Sequence, residues 1–362
     1  MRNICFLLGG FQGNGGIGRV TSMLAGLLAE SGDFQVTALS YVDTGRPNLY
    51  PVSEKITQKF LLDDYQSMGK LLLTGGEQKL RSFLRENDVD VLVACGALFF
   101  PIAVRACKGT KTKCLCWEHT DPNTGHDHRC QHLARSYGVK RSCCNVVLTM
   151  RAQKYYEKHF PKARTLQIYN PVDNKVLDHA RKYDSETKKI ISVGRLSYQK
   201  YFQMAIEVAA EILPDYPDWQ WDIYGEGEQR EELEQMILEN GLSGQMHLMG
   251  QVNDIYDRYH QYAMMVMTSR YEGFPMSLLE GMGNGLPLVS FDINTGPDEI
   301  IRDGENGYLI PAFDKQSMCD RMRTLMEKPE QRCAMSSSQK SFCHGFMQKT
   351  ILTQWKELLK TI

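Results

Sequence analysis

The stretch ICFLLGGFQGNGGIGRV, Ile4 to Val20, decides the architecture of the chain. Its apolar opening, Ile4–Leu8, has no polar alternation and suits a strand buried on both faces. Glycines follow, and Ile17–Ala29 then carries helical spacing, so the unit reads as strand, tight turn, helix. Lys189–Val193 followed by Gly194-Arg195-Leu196 repeats the rhythm in the second half. Outward from these two units, apolar runs recur at Phe34–Leu39, Val89–Ala94, Thr112–Trp117, Asn145–Thr149, Trp219–Tyr224, Met246–Leu248, Met264–Met267, Leu286–Ser290 and Gly307–Ile310. Helical stretches are expected between them, at Gln66–Glu86, Phe100–Ala106, Arg129–Arg141, Ala152–Lys158, Phe202–Leu213, Gln229–Glu239, Ile255–Gln261, Ser277–Met282 and Pro297–Arg302. Alternation of this kind predicts an α/β protein with two Rossmann-like, doubly wound parallel-sheet domains. The boundary is expected near Asn170-Pro171-Val172, giving domains 1–168 and 169–344, with Asp178–Lys188 as a helix and loop. The closing segment 345–362 has apolar residues at helical spacing and is expected to pack back on the first domain. In such sheets ligands bind at the carboxyl ends of the strands, so function is expected in a central cleft that the two domains face.

A chain of 362 residues, 42% hydrophobic and 23% charged, has room for two ordinary soluble domains. No apolar run approaches the roughly 18 residues that cross a bilayer, and the N-terminus lacks a secretory pattern. The expected location is cytoplasmic, with the eleven cysteines reduced. Residues 1–164 hold 22 Lys and Arg against 14 Asp and Glu, and residues 165–362 hold 20 against 29. The basic excess gathers in Arg105–Lys113, Lys140–Arg141 and Arg151–Arg164, the last interleaved with Tyr155, Tyr156 and Phe160. Such a surface suits an anionic membrane or a phosphorylated partner, with peripheral attachment at the inner face of the cell membrane, and equally an ordinary solvated helix face. Nucleic acid is not expected as a partner.

Three motifs carry chemistry. Gly13, Gly15 and Gly18 have the spacing of a dinucleotide-binding turn, with Asp43 where a ribose partner of NAD would lie. A nicotinamide oxidoreductase is one reading of this turn, and a merely tight βα connection is another. Gly194, Arg195 and Lys200 read as a clamp in which two fixed cations hold a diphosphate. The third motif follows Met264–Met267: Glu272-Gly273-Phe274-Pro275 is a loop, and a helix starting at Met276 places Glu280 about two turns along. Carboxylates at two depths can accept hydrogen bonds from the hydroxyl pairs of two sugars, and Gly273 and Pro275 leave backbone N–H groups facing the same place.

Together the motifs resemble those of a retaining glycosyltransferase of family 4, with the two-domain GT-B fold, as in bacterial polysaccharide and glycan assembly. The matching pieces are Gly15-Gly16-Ile17-Gly18-Arg19-Val20, Trp117-Glu118-His119, Asn170-Pro171-Val172, Gly194-Arg195 with Lys200, Glu272 through Glu280, Gly285-Leu286-Pro287, Gly296-Pro297-Asp298-Glu299-Ile300 and Asn306-Gly307. The resemblance implies a UDP-sugar donor and a saccharide or polyprenyl-diphosphate-linked acceptor, with no cofactor. It implies that Gly15 and Gly16 approach the donor diphosphate and that Gly194, Arg195 and Lys200 hold it, with Gly225 among the donor-binding residues. Glu280 would take the ribose hydroxyls, Glu272 the hexose hydroxyls, and Gly273, Phe274 and Pro275 would present backbone groups to that sugar. His119 would stand by the transferred sugar and the acceptor, so the expected catalytic set is His119, Arg195, Lys200 and Glu272. Gly281 and Gly283 depart from the family pattern, and glycine costs a helix roughly 1 kcal/mol relative to alanine, so that helix is expected to be more mobile or more closely packed. His119, His126, His128, Cys130 and His132 crowd one segment, with Cys143 and Cys144 nearby, but their spacing matches no familiar zinc site and no metal is expected. A non-catalytic nucleotide-sugar-binding relative is the remaining alternative.

Overall fold

The computed structural model describes residues 1–12, 15–122 and 129–362. The chain forms two compact units, Met1–Pro171 with Gln348–Ile362, and Val172–Met347. The strands of the first are β1 (Arg2–Leu8), β2 (Phe34–Val42), β3 (Ile56–Leu62), β4 (Val91–Cys95), β5 (Lys113–Trp117), β6 (Cys144–Val147) and β7 (Thr165–Gln167). They form one sheet in the order β3-β2-β1-β4-β5-β6-β7, every pairing parallel. Apolar side chains fill both faces: Leu7, Leu92 and Ala94 of the sheet share a core with Phe100, Ile102 and Ala103 of the Phe100–Cys107 helix. Each of the eleven cysteines is a free thiol, and burial pushes the Cys95 thiol up to about 12.

The Gln348–Thr361 helix belongs to this unit. Trp355 packs edge-on against Trp117 with centroids 4.9 Å apart, and Arg2 donates to the carbonyls of Leu359 and Ile362 at its C-terminal end. Lys356 and Lys360 both pair with Asp33.

The second unit repeats the plan with β8 (Lys189–Val193), β9 (Gln220–Tyr224), β10 (Met246–Gly250), β11 (Met264–Met267), β12 (Leu288–Asp292) and β13 (Gly307–Pro311), in the parallel order β10-β9-β8-β11-β12-β13. Three of its central strands are tied by a buried hydroxyl: Ser192 donates to the Val266 carbonyl at 2.6 Å and accepts from the Trp221 indole at 3.0 Å.

Several elements differ from expectation. The stretch 66–86 is two helices, Met68–Leu73 and Gly76–Glu86, because Gly75 at φ +81 turns the chain between them. Residues 255–261 form two single 3₁₀ turns. The helix expected from Asp178 starts earlier, at Asn174–His179, where Asp173 accepts the Lys175 N–H and caps it. The strands β3 and β7 and the helices Lys315–Glu327 and Pro329–Cys343 are additions to the predicted set.

Arg332 explains how those last two helices are anchored. Its buried guanidinium donates to the carbonyls of Leu325 and Met326 at the end of the Lys315–Glu327 helix, and to the Ser185 carbonyl and the Tyr183 hydroxyl in the entry segment. Replacing it by methionine leaves those acceptors buried and unmatched. Arg332→Met is expected to lower stability by about 2–3 kcal/mol, read as a shift of the urea midpoint. A midpoint unchanged from wild type would show that the carbonyls find other donors.

Candidate functional site

In the second unit the strand order reverses between β8 and β11. Chains leaving such neighbours turn to opposite faces of the sheet and open a crevice at their carboxyl ends. The two loops that leave there are Gly194–Tyr201 and Thr268–Pro275, which contain the second and third motifs.

Lys200 and Glu272 meet in an ion pair of 2.5 Å, with side chains only 18% and 8% exposed. Ser269 donates to the same carboxylate oxygen at 2.8 Å, and Gln199 reaches the other at 3.4 Å. The loops are stitched along their length as well. Thr268 lies 3.1 Å from the carbonyls of both Lys200 and Tyr201, the Arg270 N–H donates to the Gln199 carbonyl, and the Gln199 amide donates to the Tyr271 carbonyl.

Glycine is demanded here by space. A Cβ on Gly194 would stand 3.0 Å from the Lys200 stem, so the lysine runs across the bare backbone. Gly225 ends β9 at φ +142, and a Cβ there would lie 1.9 Å from the Gly194 carbonyl oxygen. Gly194 N–H donates to the Tyr224 carbonyl and Leu196 N–H to the Glu226 carbonyl. Gly225 is therefore a crossing point that fixes the turn carrying Arg195.

Arg195 itself is 65% exposed and pairs with Glu228 at 3.0 Å. The two expected cations are not equally fixed: Lys200 is held by packing, whereas Arg195 stands in solvent. The helix starts at Met276 as expected, with Pro275 as its N-cap, but Glu280 is just over one turn along and not two, because a turn takes only about 3.6 residues. Its side chain is buried and accepts the Tyr259 hydroxyl at 2.5 Å. Phe274 is core, its ring 5.8 Å from that of Phe346, so its backbone is the part left to a ligand. The loop is braced from behind: Thr295 donates to the Glu272 carbonyl, and Gly296, at φ +103, has no room for a Cβ against Pro275. Gly281 and Gly283 answer to close packing, because a Cβ at either would press within 2.7–2.8 Å of Met265 and Val176.

In the first unit, Gly15 caps the Gly16–Glu30 helix, and open space surrounds the Cβ positions of both Gly15 and Gly16. Gly18 instead packs against the Gly10 carbonyl oxygen; Gly13 of the same motif lies outside the described residues. Asp43 is engaged by the loop itself, accepting from the Gln12 amide and the Gly45 N–H, which hold its carboxyl below the usual range.

His119 follows β5 and lies against the Trp117 ring, 4.3 Å between centroids. Its Nε2 is shielded from solvent and has no hydrogen-bond partner among the described residues. Burial pushes its pKa down to about 4, against the pull of Glu118, so the ring is neutral near pH 7. Sequence reasoning missed what holds it. Glu118, beside it, is buried and paired with Arg135 at 2.7 Å, and it accepts from the Tyr156 hydroxyl and from the N–H groups of His119 and Thr120. Burial raises the Glu118 carboxyl, but Arg135 and Thr120 more than offset it and the group stays below its usual range. No spacing announces this set, since the partners come from two later helices.

Residues 175–342 match the family described as Glycosyl transferases group 1. An uncharacterized glycosyltransferase of Haemophilus influenzae is 26% identical over 99% of this chain and 100% of its own length. The amylovoran biosynthesis glycosyltransferase AmsD of Erwinia amylovora is 26% identical with the same coverage. Among solved structures, a point mutant of S. aureus TarM in complex with fondaparinux, alpha-GlcNAc-glycerol and UDP superposes with a TM-score of 0.83, at 16% identity, over 99% of both chains. The second unit thus carries a glycosyl transferases group 1 domain, and the chain has the GT-B fold of a glycosyltransferase.

For this glycosyltransferase the nicotinamide reading of the first glycine turn is not favoured. Among the described residues no group of three or more His, Cys, Asp or Glu side chains is placed to hold a metal ion, and His126 and His128 lie outside them.

Gly225→Ala in the glycosyltransferase drives a methyl into backbone at an unfavourable φ. It is expected to destabilise the unit and to displace Arg195, read as a lowered melting temperature; a melting temperature equal to wild type would refute the crossing. His119 supplies a pH test. Its folded-state pKa of about 4 lies below the ordinary 6.5, so its contribution to stability is present above pH 6.5 and is lost as pH falls toward 4. In an NMR titration the His119 ring should remain neutral at pH 5.5; a midpoint near 6.5 would show that the ring is solvated.

Proposed function

We propose that this glycosyltransferase moves a hexose or N-acetylhexosamine from a UDP-sugar, with retention, to a glycan or lipid-linked sugar during assembly of cell-surface polysaccharide or glycoconjugate. The observation that carries the reading is the Lys200–Glu272 pair at the reversal point of the second sheet. A cation for phosphate and a carboxylate for sugar hydroxyls are held there within one hydrogen bond of each other. The names of relatives support the reading: AmsD belongs to amylovoran biosynthesis, and TarM was crystallised with UDP and alpha-GlcNAc-glycerol.

On this proposal Lys200 and Arg195 take the donor diphosphate at the Gly194 turn, and Glu280 takes the ribose hydroxyls. Glu272 and the backbone of Gly273, Phe274 and Pro275 hold the hexose. Gly15 and Gly16 leave space for phosphate beside a helix N-terminus, and neutral His119 serves the transferred sugar and acceptor as a hydrogen-bonding group. The bond from the anomeric carbon to the diphosphate breaks and the acceptor oxygen bonds to that carbon from the same face. The departing phosphate takes the acceptor's proton. Negative charge gathers on the diphosphate in the transition state, where fixed cations contribute most. No metal or other cofactor is required by this scheme.

No described helix is long and apolar enough to cross a membrane. A cytoplasmic enzyme attached peripherally through the basic first unit would reach a polyprenyl-diphosphate-linked acceptor. Salt-sensitive binding to vesicles containing anionic lipid follows from that attachment.

The decisive experiment measures UDP release from UDP-glucose, UDP-galactose and UDP-N-acetylglucosamine with saccharide and lipid-linked acceptors, and the anomeric configuration of the product by NMR. Lys200→Ala is expected to lower kcat by about 10²–10³. Glu280→Gln should weaken binding of UDP and UDP-sugar alike, whereas Glu272→Gln should not weaken UDP. UDP binding without transfer to any acceptor would mark a binding protein, and an inverted product would overturn retention.

A further inference from the structure

Tyr201 stands between Lys200 and the Phe202–Ile212 helix, with φ +52 and ψ +48. Only two other non-glycine residues among those described, Asp88 and Phe313, have positive φ. A bulky aromatic residue rarely adopts this region, and one that does is held there by its surroundings. The Tyr201 ring meets Phe313 edge-on at 6.2 Å, and the other holding contacts come from the neighbouring loop. The Thr268 hydroxyl reaches the carbonyls of Lys200 and Tyr201, one in each of the two peptides that flank the Tyr201 Cα. The Arg270 guanidinium lies on the Tyr201 ring, 3.4 Å from its centroid, with the Tyr198 ring 4.4 Å away. Among the described residues Arg270 makes no ion pair, and its Nε is shielded from solvent without a hydrogen-bond partner. Its orientation therefore comes from the two tyrosine faces. A cation stacked in this way, with its charge unmatched by a carboxylate, depends on cation–π attraction.

The consequence lies one residue back. The left-handed turn at Tyr201 decides where the Lys200 stem leaves the chain, and that stem runs close to where a Cβ on Gly194 would stand before reaching Glu272. Glu272 is two residues beyond Arg270 on the same loop. The Arg270–Tyr201 stack thus joins the loop that carries the cation to the loop that carries the carboxylate. We infer that Arg270 and Tyr201 are positioning residues: their stack keeps the turn at Tyr201 left-handed and thereby aims Lys200. The inference rests on the proposed role of Lys200 in binding the donor diphosphate.

The test is a double-mutant cycle on the full chain, with UDP affinity by calorimetry, kcat and KM for the UDP-sugar, and melting temperature. Arg270→Ala and Tyr201→Ala should each weaken UDP binding and lower kcat about tenfold or more. Tyr201→Phe, which keeps the ring, should stay near wild type. Tyr201→Gly removes the stack but adopts the left-handed turn freely, so it should recover UDP affinity lost in Tyr201→Ala, and a glycine variant no better than the alanine one would overturn the inference. Arg270→Lys, which keeps charge but not the planar stack, should fall with Arg270→Ala and serves if the alanine variant does not fold. In a Lys200→Ala background, Arg270→Ala should add no more than about a twofold further loss of UDP affinity, because both act through one cation. Independent, multiplying losses would overturn the inference, and so would unchanged UDP affinity in folded Arg270→Ala. Wild-type protein that fails to bind UDP would overturn the functional reading and this inference with it, whereas normal wild-type binding with a silent Arg270→Ala overturns the inference alone.

Discussion

A lysine withdrawn from water needs a negative partner close by, because an uncompensated charge in a shielded site is costly. Lys200 meets that need with Glu272 at 2.5 Å, and much of the second unit follows from it. The two residues leave adjacent strands, β8 and β11, so their loops must approach at side-chain range rather than diverge. That approach removes space for any side chain at Gly194, where the lysine passes, and Gly194 in turn leaves none at Gly225. The carboxylate end is constrained in the same way. Thr295 and Gly296 press on the Glu272–Pro275 loop from behind, and Gly281 lets the following helix lie close to Met265. Gly194, Gly225, Gly281 and Gly296 mark crowded positions, and the mobility that glycine can confer is not what they supply.

The first unit solves a related problem with a different set. Glu118 is buried with Arg135, and further donors from Tyr156, His119 and Thr120, the last through both its N–H and its hydroxyl, add to its hydrogen bonding. A buried ion pair adds little net stability, but removing one partner is severe, so such a pair fixes geometry more than it strengthens the fold. The geometry it fixes is the backbone at His119. From the other side, Trp355 of the Gln348–Thr361 helix packs on Trp117, which in turn lies against the imidazole. The end of the chain is thus part of what holds a residue near its middle.

How much of this was legible depends on range. Strands buried on both faces were legible, as Ile4–Leu8 and Lys189–Val193 show, because an unbroken apolar run has few alternatives. The edge strands were not: residues 57–60 of β3 are exposed, and β7 has three residues. The Lys315–Glu327 helix buries Met318, Cys319, Met322, Leu325 and Met326 at helical spacing, a signal the sequence carries. The Pro329–Cys343 helix buries Arg332 and Gln339, and such polar positions read as surface until their long-range partners are known. Glu272, Glu280, Arg195 and Lys200 stood out by motif. The contacts that set their differing environments did not, because Glu228, Tyr259, Thr268 and Thr295 have no fixed spacing from them.

The inequality of the two cations bears on how a donor would be accommodated. Arg195 and Glu228 form an exposed pair, worth little in high dielectric, so a phosphate can replace Glu228 at small cost. Lys200 is different, since drawing it toward a phosphate strips a shielded carboxylate of its cation. On the proposed reading, a sugar hydroxyl arriving at Glu272 restores a hydrogen bond to that carboxylate as Lys200 turns away. UDP alone brings the phosphate without the hydroxyls and leaves Glu272 undercompensated. The intact donor then gains over UDP by more than its own sugar contacts, because the sugar removes a penalty that the diphosphate creates. Discrimination of donor from spent nucleotide would be written into one ion pair, and neutralising Glu272 should narrow the difference between the two ligands.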